Sequence, residues 1–247
     1  MNHNVQLPYR IILLFIAFLV CNCSVSQQAG SLSRYGLRVI KSLPTFQNIV
    51  MKDSIKEMVE LKSVIASIQY DLRYATVDNF MGRSMYPTET NYTFLRRLPV
   101  KALSQVTEQL KSKGFILKIF DAYRPYSVTE KFWELVKDRR YVANPSKGSG
   151  HNRGLSIDLT IIDQHTGKEL DMGTGFDNFS DTAAHGFSQL PEHIIDNRKL
   201  LKQTMEKFGF RALDTEWWHY SWPNNREYEV LDLSFEELFM VSKRVEL

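Results

Sequence analysis

Two histidines in this chain stand where their types and spacing could do chemistry. His151 lies in the run Ser149-Gly150-His151-Asn152-Arg153-Gly154-Leu155-Ser156-Ile157-Asp158, inside a glycine-flanked loop. Asp158 falls in a stretch where Leu155, Ile157, Leu159 and Ile161 alternate, on the face opposite them. A carboxylate in an apolar strand is costly to bury unless it is paired or bound to metal. His219 closes the run Glu216-Trp217-Trp218-His219, a second polar pair in an apolar setting. Together His151, Asp158 and His219 offer two imidazoles and one carboxylate. That donor set suits one Zn2+ per chain, with a fourth position left for water. Zinc lowers the pKa of such a water to about 7 and polarises a bound carbonyl. Glu216 is not needed as a ligand and is placed to take the water's proton. Each motif alone also has a plainer reading: His219 packed in an aromatic cluster, Asp158 capping a strand end.

A third element is Phe120-Asp121-Ala122-Tyr123-Arg124-Pro125. An arginine at a strand end can face a cleft and stabilise an oxyanion through charge-assisted hydrogen bonds. The competing reading is a structural salt bridge between Asp121 and Arg124.

These residues need a scaffold. Val100, Leu103, Val106 and Leu110 recur at helical spacing, which predicts a helix over 98–113 with Pro99 in its first turn and Gly114 beyond its end. Residues 115–120 read as a short buried strand. Ser127-Val128-Thr129-Glu130 reads as a capping box opening a helix with Phe132, Leu135 and Val136 on one side. Residues 155–162 alternate as a strand. Residues 197–208 form a further helix stopped by Gly209, with Leu200, Leu201, Thr204, Met205 and Phe208 inward, and 217–222 are aromatic and strand-like. Helices and strands mix without regular βαβ alternation, so the expected class is α+β. Residues 27–60 show no sharp periodicity and read as a tether with a first irregular or helical segment. No boundary divides residues 61–247.

Taken in order, these motifs resemble the D-alanyl-D-alanine dipeptidase family, the zinc dipeptidases that include the vancomycin-resistance enzymes. The family pattern Ser-x-His-x-x-Gly-x-(Ala/Ser)-x-Asp matches Ser149 to Asp158, Glu-Trp-Trp-His-Tyr matches Glu216 to Tyr220, and Asp-x-Tyr-Arg-Pro matches Asp121 to Pro125. Tyr70-Asp71-Leu72-Arg73-Tyr74-Ala75-Thr76, with Asn79, Phe80 and Gly82, matches the family's N-terminal run, and Met172 to Asp177 matches Met-Gly-x-x-Phe-Asp. The resemblance implies a compact α+β fold, a small mixed or antiparallel sheet with flanking helices and the zinc site at the sheet. It implies that His151, Asp158 and His219 ligate zinc, that Glu216 is the general base and later the acid to the leaving amine, and that Arg124 stabilises the tetrahedral intermediate. Tyr74, Phe132, Ser149 and Asp177 then line a small pocket for D-Ala-D-Ala. Asp177 and Tyr74 take its ammonium end and Ser149 its carboxylate end. The competing functions are a D,D-carboxypeptidase acting on longer muropeptides and a non-enzymatic wall-binding module that keeps a zinc site.

The whole composition fits this. The chain has 247 residues, 43% hydrophobic and 24% charged, with 31 Lys+Arg against 28 Asp+Glu. A net charge of +3 gives little reason to expect nucleic acid as a partner. Mean hydropathy of −0.29 excludes a multispanning membrane protein. Residues 1–26 read as a secretory signal: a polar start ending in Arg10, the apolar run Ile11 to Val20, then small and polar residues with a cut after Ser26. Ten apolar residues are short of the roughly 20 a spanning helix needs. A competing reading lipidates Cys21 or Cys23. Both cysteines lie in this segment, so the remainder contains no disulfide and no thiolate ligand. The expected location is therefore the periplasm, with membrane contact only through the signal or a lipid anchor. The best-known resistance enzymes of the family act in the cytoplasm, so an export signal favours turnover of the dipeptide outside the inner membrane. Oligomeric state is not legible in the sequence.

Overall fold

The structure is a computed structural model that describes Met1 and residues 29–242. The export-signal expectation lies outside the described residues.

The elements run β1 (Ser31–Leu32), β2 (Arg38–Ile40), α1 (Leu43–Lys52), β3 (Met58–Glu60), α2 (Leu61–Val64), β4 (Gln69–Tyr70), β5 (Phe94–Arg96), α3 (Arg97–Lys111) and β6 (Phe115–Asp121). They continue with α4 (Tyr126–Val136), β7 (Ser156–Asp163), α5 (Glu192–Lys207), β8 (Arg211–Leu213), β9 (Glu216–Ser221), β10 (Val230–Leu231) and α6 (Phe235–Ser242). The class is α+β, as the irregular mixture of periodicities predicts.

A five-stranded sheet in the order β4-β6-β7-β9-β8 carries the fold. β4 pairs with β6 in parallel; the pairs β6–β7, β7–β9 and β9–β8 are antiparallel. Leu117 faces Ile161 and Ile119 faces Leu159 across β6 and β7, and Ile157 faces Tyr220 across β7 and β9. Residues directly opposite share a face, so this row forms one apolar surface. It packs with Leu103, Val106 and Leu110 of α3 and Leu201 and Met205 of α5 in one core. The other face of β7 carries Asp158 and Thr160, and it is buried too. A second core gathers aromatic residues, among them Tyr74, Tyr86, Phe94, Phe132 and Phe235.

Three expectations need correction. Of the segment 27–60, the helical part is present as α1, but the described residues from 31 on are not a loose tether. β2 pairs in parallel with β10, setting Val39 against Val230 and Ile40 against Leu231, and β3 pairs with β5. Val39, Ile40 and Phe46 are buried. These strands are too short for a periodic signal, and the partner of β2 lies at the far end of the chain. The capping box also does not form. α4 begins one residue before Ser127, and the Ser127 N–H donates instead to Asp232 Oδ1 at 2.9 Å. On that helix Phe132 is buried, but Leu135 is 60% exposed.

Candidate metal centre and substrate pocket

Three strands deliver three acids and bases to one face. Asp121 at the end of β6 is paired with Asp158 of β7, and Asp158 with His219 of β9. A β-bulge between Ile119 and Asp121 shifts the register there, a device that re-aims a side chain. His151 comes from outside the sheet, on a single 3-10 turn, His151–Arg153. Gly154 ends that turn at φ +66°, and a Cβ there would meet Met58 Sδ at 2.6 Å. The turn is latched to the Arg124 strand end, because Arg124 N donates to the His151 carbonyl at 3.2 Å. The Asn152 amide also donates to the Arg124 carbonyl, at 2.9 Å.

The geometry fits one small divalent ion. One ligand atom from each of His151, Asp158 and His219 lies within 4.8 Å of the others. His151 Nδ1 is 2.7 Å from the Ala122 carbonyl, which can only accept. Nδ1 therefore carries the proton and Nε2 presents its lone pair to the cluster, 3.4 Å from Asp158 Oδ2. His219 turns Nδ1 toward Asp158 Oδ1 at 2.8 Å and Nε2 toward Ser221 Oγ at 3.1 Å. Each ring's outer nitrogen thus has a partner that fixes its orientation, as metal-binding imidazoles require. Burial works against the charge on Asp158, but the two imidazoles hold it ionised well below the usual carboxylate range.

Glu216 lies in the same cavity, at the start of β9. Three residues apart on a regular strand, Glu216 and His219 would face opposite ways. The β8–β9 pairing breaks that alternation: Ala212 faces Tyr220, but Leu213 faces Glu216. Glu216 is 8% exposed and its carboxylate has no hydrogen-bond partner among the described residues. Burial pushes its pKa up to about 7, with His219 pulling the other way.

The Asp121–Arg124 salt bridge forms, and the same guanidinium borders the cavity. Its Nε and one terminal nitrogen donate to Asp121 Oδ2 at 3.0 and 2.7 Å. The guanidinium also lies over the rings of Tyr74 and Phe132, at 5.0 and 4.8 Å, and lines the cavity. Asp121 in turn accepts from the Tyr86 hydroxyl at 2.8 Å. The pair is therefore a buried, oriented cation facing the site.

At the cavity's other side the Tyr74 hydroxyl donates to both oxygens of Asp177, each at 3.1 Å. Asp177 has φ +58°. Burial raises its pKa well above the usual value, and the nearby charge of Asp158 adds to this. Ser149 lines the cavity, and its Oγ accepts the His151 N–H at 3.2 Å. Every sequence-derived site residue (Tyr74, Arg124, Phe132, Ser149, His151, Asp158, Asp177, Glu216 and His219) borders this one cavity of about 270 Å³. Sequence reasoning missed Ser221, the outer partner of His219. It also missed the walls formed by Phe80, Tyr141 and Phe179, where Phe179 stacks on Tyr141 at 4.7 Å. Ser221 directly follows the Glu216–Tyr220 motif, but nothing in its own type marked it.

An open-sided ligand triad, a free buried carboxylate and a held guanidinium around one cavity are the equipment of a single-metal peptidase. The sequence comparisons give the family. The model of the family described as D-ala-D-ala dipeptidase matches residues 54–238. The D-alanyl-D-alanine dipeptidase of Escherichia coli K12 is 34% identical over 175 residues, spanning 71% of this chain and 89% of that protein. Those of Enterococcus faecalis and Streptomyces coelicolor are each 30% identical, over 65% and 64% of this chain and 88% and 87% of theirs. The chain belongs to the D-Ala-D-Ala dipeptidase family of zinc metallopeptidases. It is an enzyme with D-Ala-D-Ala dipeptidase or a related D,D-peptidase activity on small peptides.

Proposed function

We propose that this chain hydrolyses D-Ala-D-Ala to two molecules of D-alanine, and that it does so as an exported enzyme of cell-wall peptide turnover. The observation that carries the chemistry is Glu216: a buried carboxylate without a hydrogen-bond partner among the described residues, in the same cavity as the His151–Asp158–His219 cluster. Burying an unpaired acid is costly, and a proton-transfer role accounts for it. His151, Asp158 and His219 would hold zinc, which would supply Lewis acidity to an attacking water and to the scissile carbonyl. Glu216 accepts the attacking water's proton and returns it to the departing amine nitrogen. Arg124, oriented by Asp121, donates hydrogen bonds where the carbonyl oxygen becomes negative. Asp177 with Tyr74 holds the ammonium end of the dipeptide, and Ser149 its carboxylate end. The cavity's small volume suits a ligand of dipeptide size.

Residues 1–26 support export, to the periplasm or, if Cys21 or Cys23 is lipidated, to an anchored envelope form. The test is hydrolysis by the purified protein of D-Ala-D-Ala against tripeptide and pentapeptide ending in the same pair. Each is run with chelator and with added zinc. Chelator-sensitive release of D-alanine from the dipeptide above all is the expected result. Preference for the pentapeptide replaces the dipeptidase reading with a D,D-carboxypeptidase. No metal-dependent hydrolysis of any of them leaves the wall-binding module.

A further inference from the structure

Asp177 sits on the long connection between β7 and α5, yet the site needs its carboxylate in one place. The base of that connection is gripped by a single side chain. Arg198 of α5 is 4% exposed. Its Nε donates to the Met172 carbonyl at 2.8 Å, and its two terminal nitrogens donate to the carbonyls of Thr182 at 2.9 Å and Ala184 at 3.0 Å. The acceptors lie on both sides of Asp177 in sequence, so one guanidinium ties the two ends of residues 172–184 to one point. No carboxylate pairs with Arg198 among the described residues. A buried cation spent wholly on loop carbonyls is a costly arrangement for packing alone.

Further contacts seat the same base on α5. Asn197 donates to the Asp171 carbonyl at 2.9 Å. Gly173 has φ +81°, and a Cβ there would stand 3.1 Å from both Ile194 and Leu190. Trp217 Nε1 holds Thr174 Oγ1 at 2.8 Å. Beyond the base, Phe176 packs against Phe120, Trp218 and Tyr74, and the next residue is Asp177.

We infer that Arg198 is a positioning residue for substrate binding: by closing the 172–184 loop it holds Asp177 where Tyr74 and the substrate's ammonium group meet it. Pinning both loop ends removes conformations that would otherwise have to be frozen when substrate binds. A guanidinium suits this because its planar fork reaches three acceptors in different directions, which a lysine ammonium on a flexible stem does not reproduce. The inference rests on the role proposed for Asp177, and it places Arg198 upstream of binding rather than of bond cleavage. An interaction equal in ground and transition states changes KM and leaves kcat alone.

The experiment compares Arg198→Met and Arg198→Lys with the parent enzyme, using D-Ala-D-Ala, zinc content and amide hydrogen exchange. For Arg198→Met the expected KM is about tenfold higher, the worth of one well-placed interaction. Turnover at saturation and zinc content should stay close to the parent, and Arg198→Lys should fall between. Exchange should quicken at residues 173–181 and not in β6 and β7. In an Asp177→Asn background, Arg198→Met should add little to KM, because the two act in series. Gly173→Ala displaces the same loop base with Arg198 intact and should raise KM in the same direction, whether or not Arg198→Met folds. An unchanged KM with unchanged loop exchange overturns the inference. So does a fall in kcat with faster exchange throughout the sheet, which marks a general structural role. A normal KM in Asp177→Asn alone overturns the ammonium role of Asp177, and the loop-exchange result then judges the grip of Arg198 separately.

Discussion

At the metal end of the cavity, Asp121, Asp158 and His219 hold their places by strand register, each opposite the next across β6, β7 and β9. At the substrate end, Asp177 holds its place through side chains reaching from elsewhere: Tyr74 from a turn, Arg198 from a helix, Phe176 against Phe120 of β6 and Trp218 of β9. The two ends therefore resist change differently. A strand residue is fixed by backbone hydrogen bonds that no single substitution removes. A loop residue is fixed by a few side chains, each of which can be deleted. Of the groups proposed for bond breaking, Asp158, His219 and Glu216 stand on strands, while His151 comes from a 3-10 turn and Arg124 from beyond the end of β6.

The sharpest way to break this contrast is at the metal end. His151→Ala or His219→Ala should lose zinc by metal analysis, with turnover falling to background. Retention of full zinc in both would remove them as ligands. The next largest effect belongs to Glu216→Gln, which keeps shape and removes the proton acceptor. Turnover should fall by about 10² to 10⁴, the usual worth of a positioned acid–base group. Zinc content should be unchanged, and near-normal turnover would place the base elsewhere. Arg124→Ala should cost about 10² to 10³ in kcat, as for a lost oxyanion donor, with KM less affected. Its melting temperature should fall as well, because Asp121 is left buried without its cation. Arg124→Lys should recover stability better than turnover. An unstable but fully active Arg124→Ala would reduce the pair to a structural salt bridge.

The smallest predicted effect lies behind the loop end. His185 follows the segment gripped by Arg198, and its Nε2 is buried without a hydrogen-bond partner among the described residues. Burial lowers its pKa from 6.5 to about 4, and the charges of Lys202 and Arg198 act the same way. Glu206 and Asp214 oppose them only in part. The unfolded chain thus binds a proton in a range where the folded protein does not, so acid favours unfolding there. Melting temperature should decline as pH falls from 6.5 toward 4, and His185→Gln should flatten that decline. An identical pH slope in the variant would rule His185 out as a source of it.

How much of this was legible in the sequence follows the same division. The strand carrying Asp158 announced itself because Leu155, Ile157, Leu159 and Ile161 alternate, and α3 because Val100, Leu103, Val106 and Leu110 recur at helical spacing. Both signals are local. The pairing of β2 with β10 is not, and residues 27–60 were read as a tether with a first irregular or helical segment for that reason. Ser127 misled because its N–H is satisfied by Asp232, over a hundred residues away, rather than within its own turn. Arg124 posed a choice between salt bridge and cleft that spacing could not decide, since the fold pairs it with Asp121 and also sets it at the cavity wall. Arg198 carried no motif at all: its acceptors are backbone carbonyls, which have no sequence identity.

The junction of β2 with β10 also governs the order in which the molecule can be finished. Val39 leaves the ribosome well before its partner Val230. At ordinary synthesis rates of about 5–20 residues per second, the first strand waits on the order of tens of seconds for its place to exist. Contacts between such distant segments also form slowly once both are present, because a long loop must close before they add stability. Until then β2 has only the two residues of β1 to pair with, and its other edge, the one Val230 and Leu231 will cover, stays open.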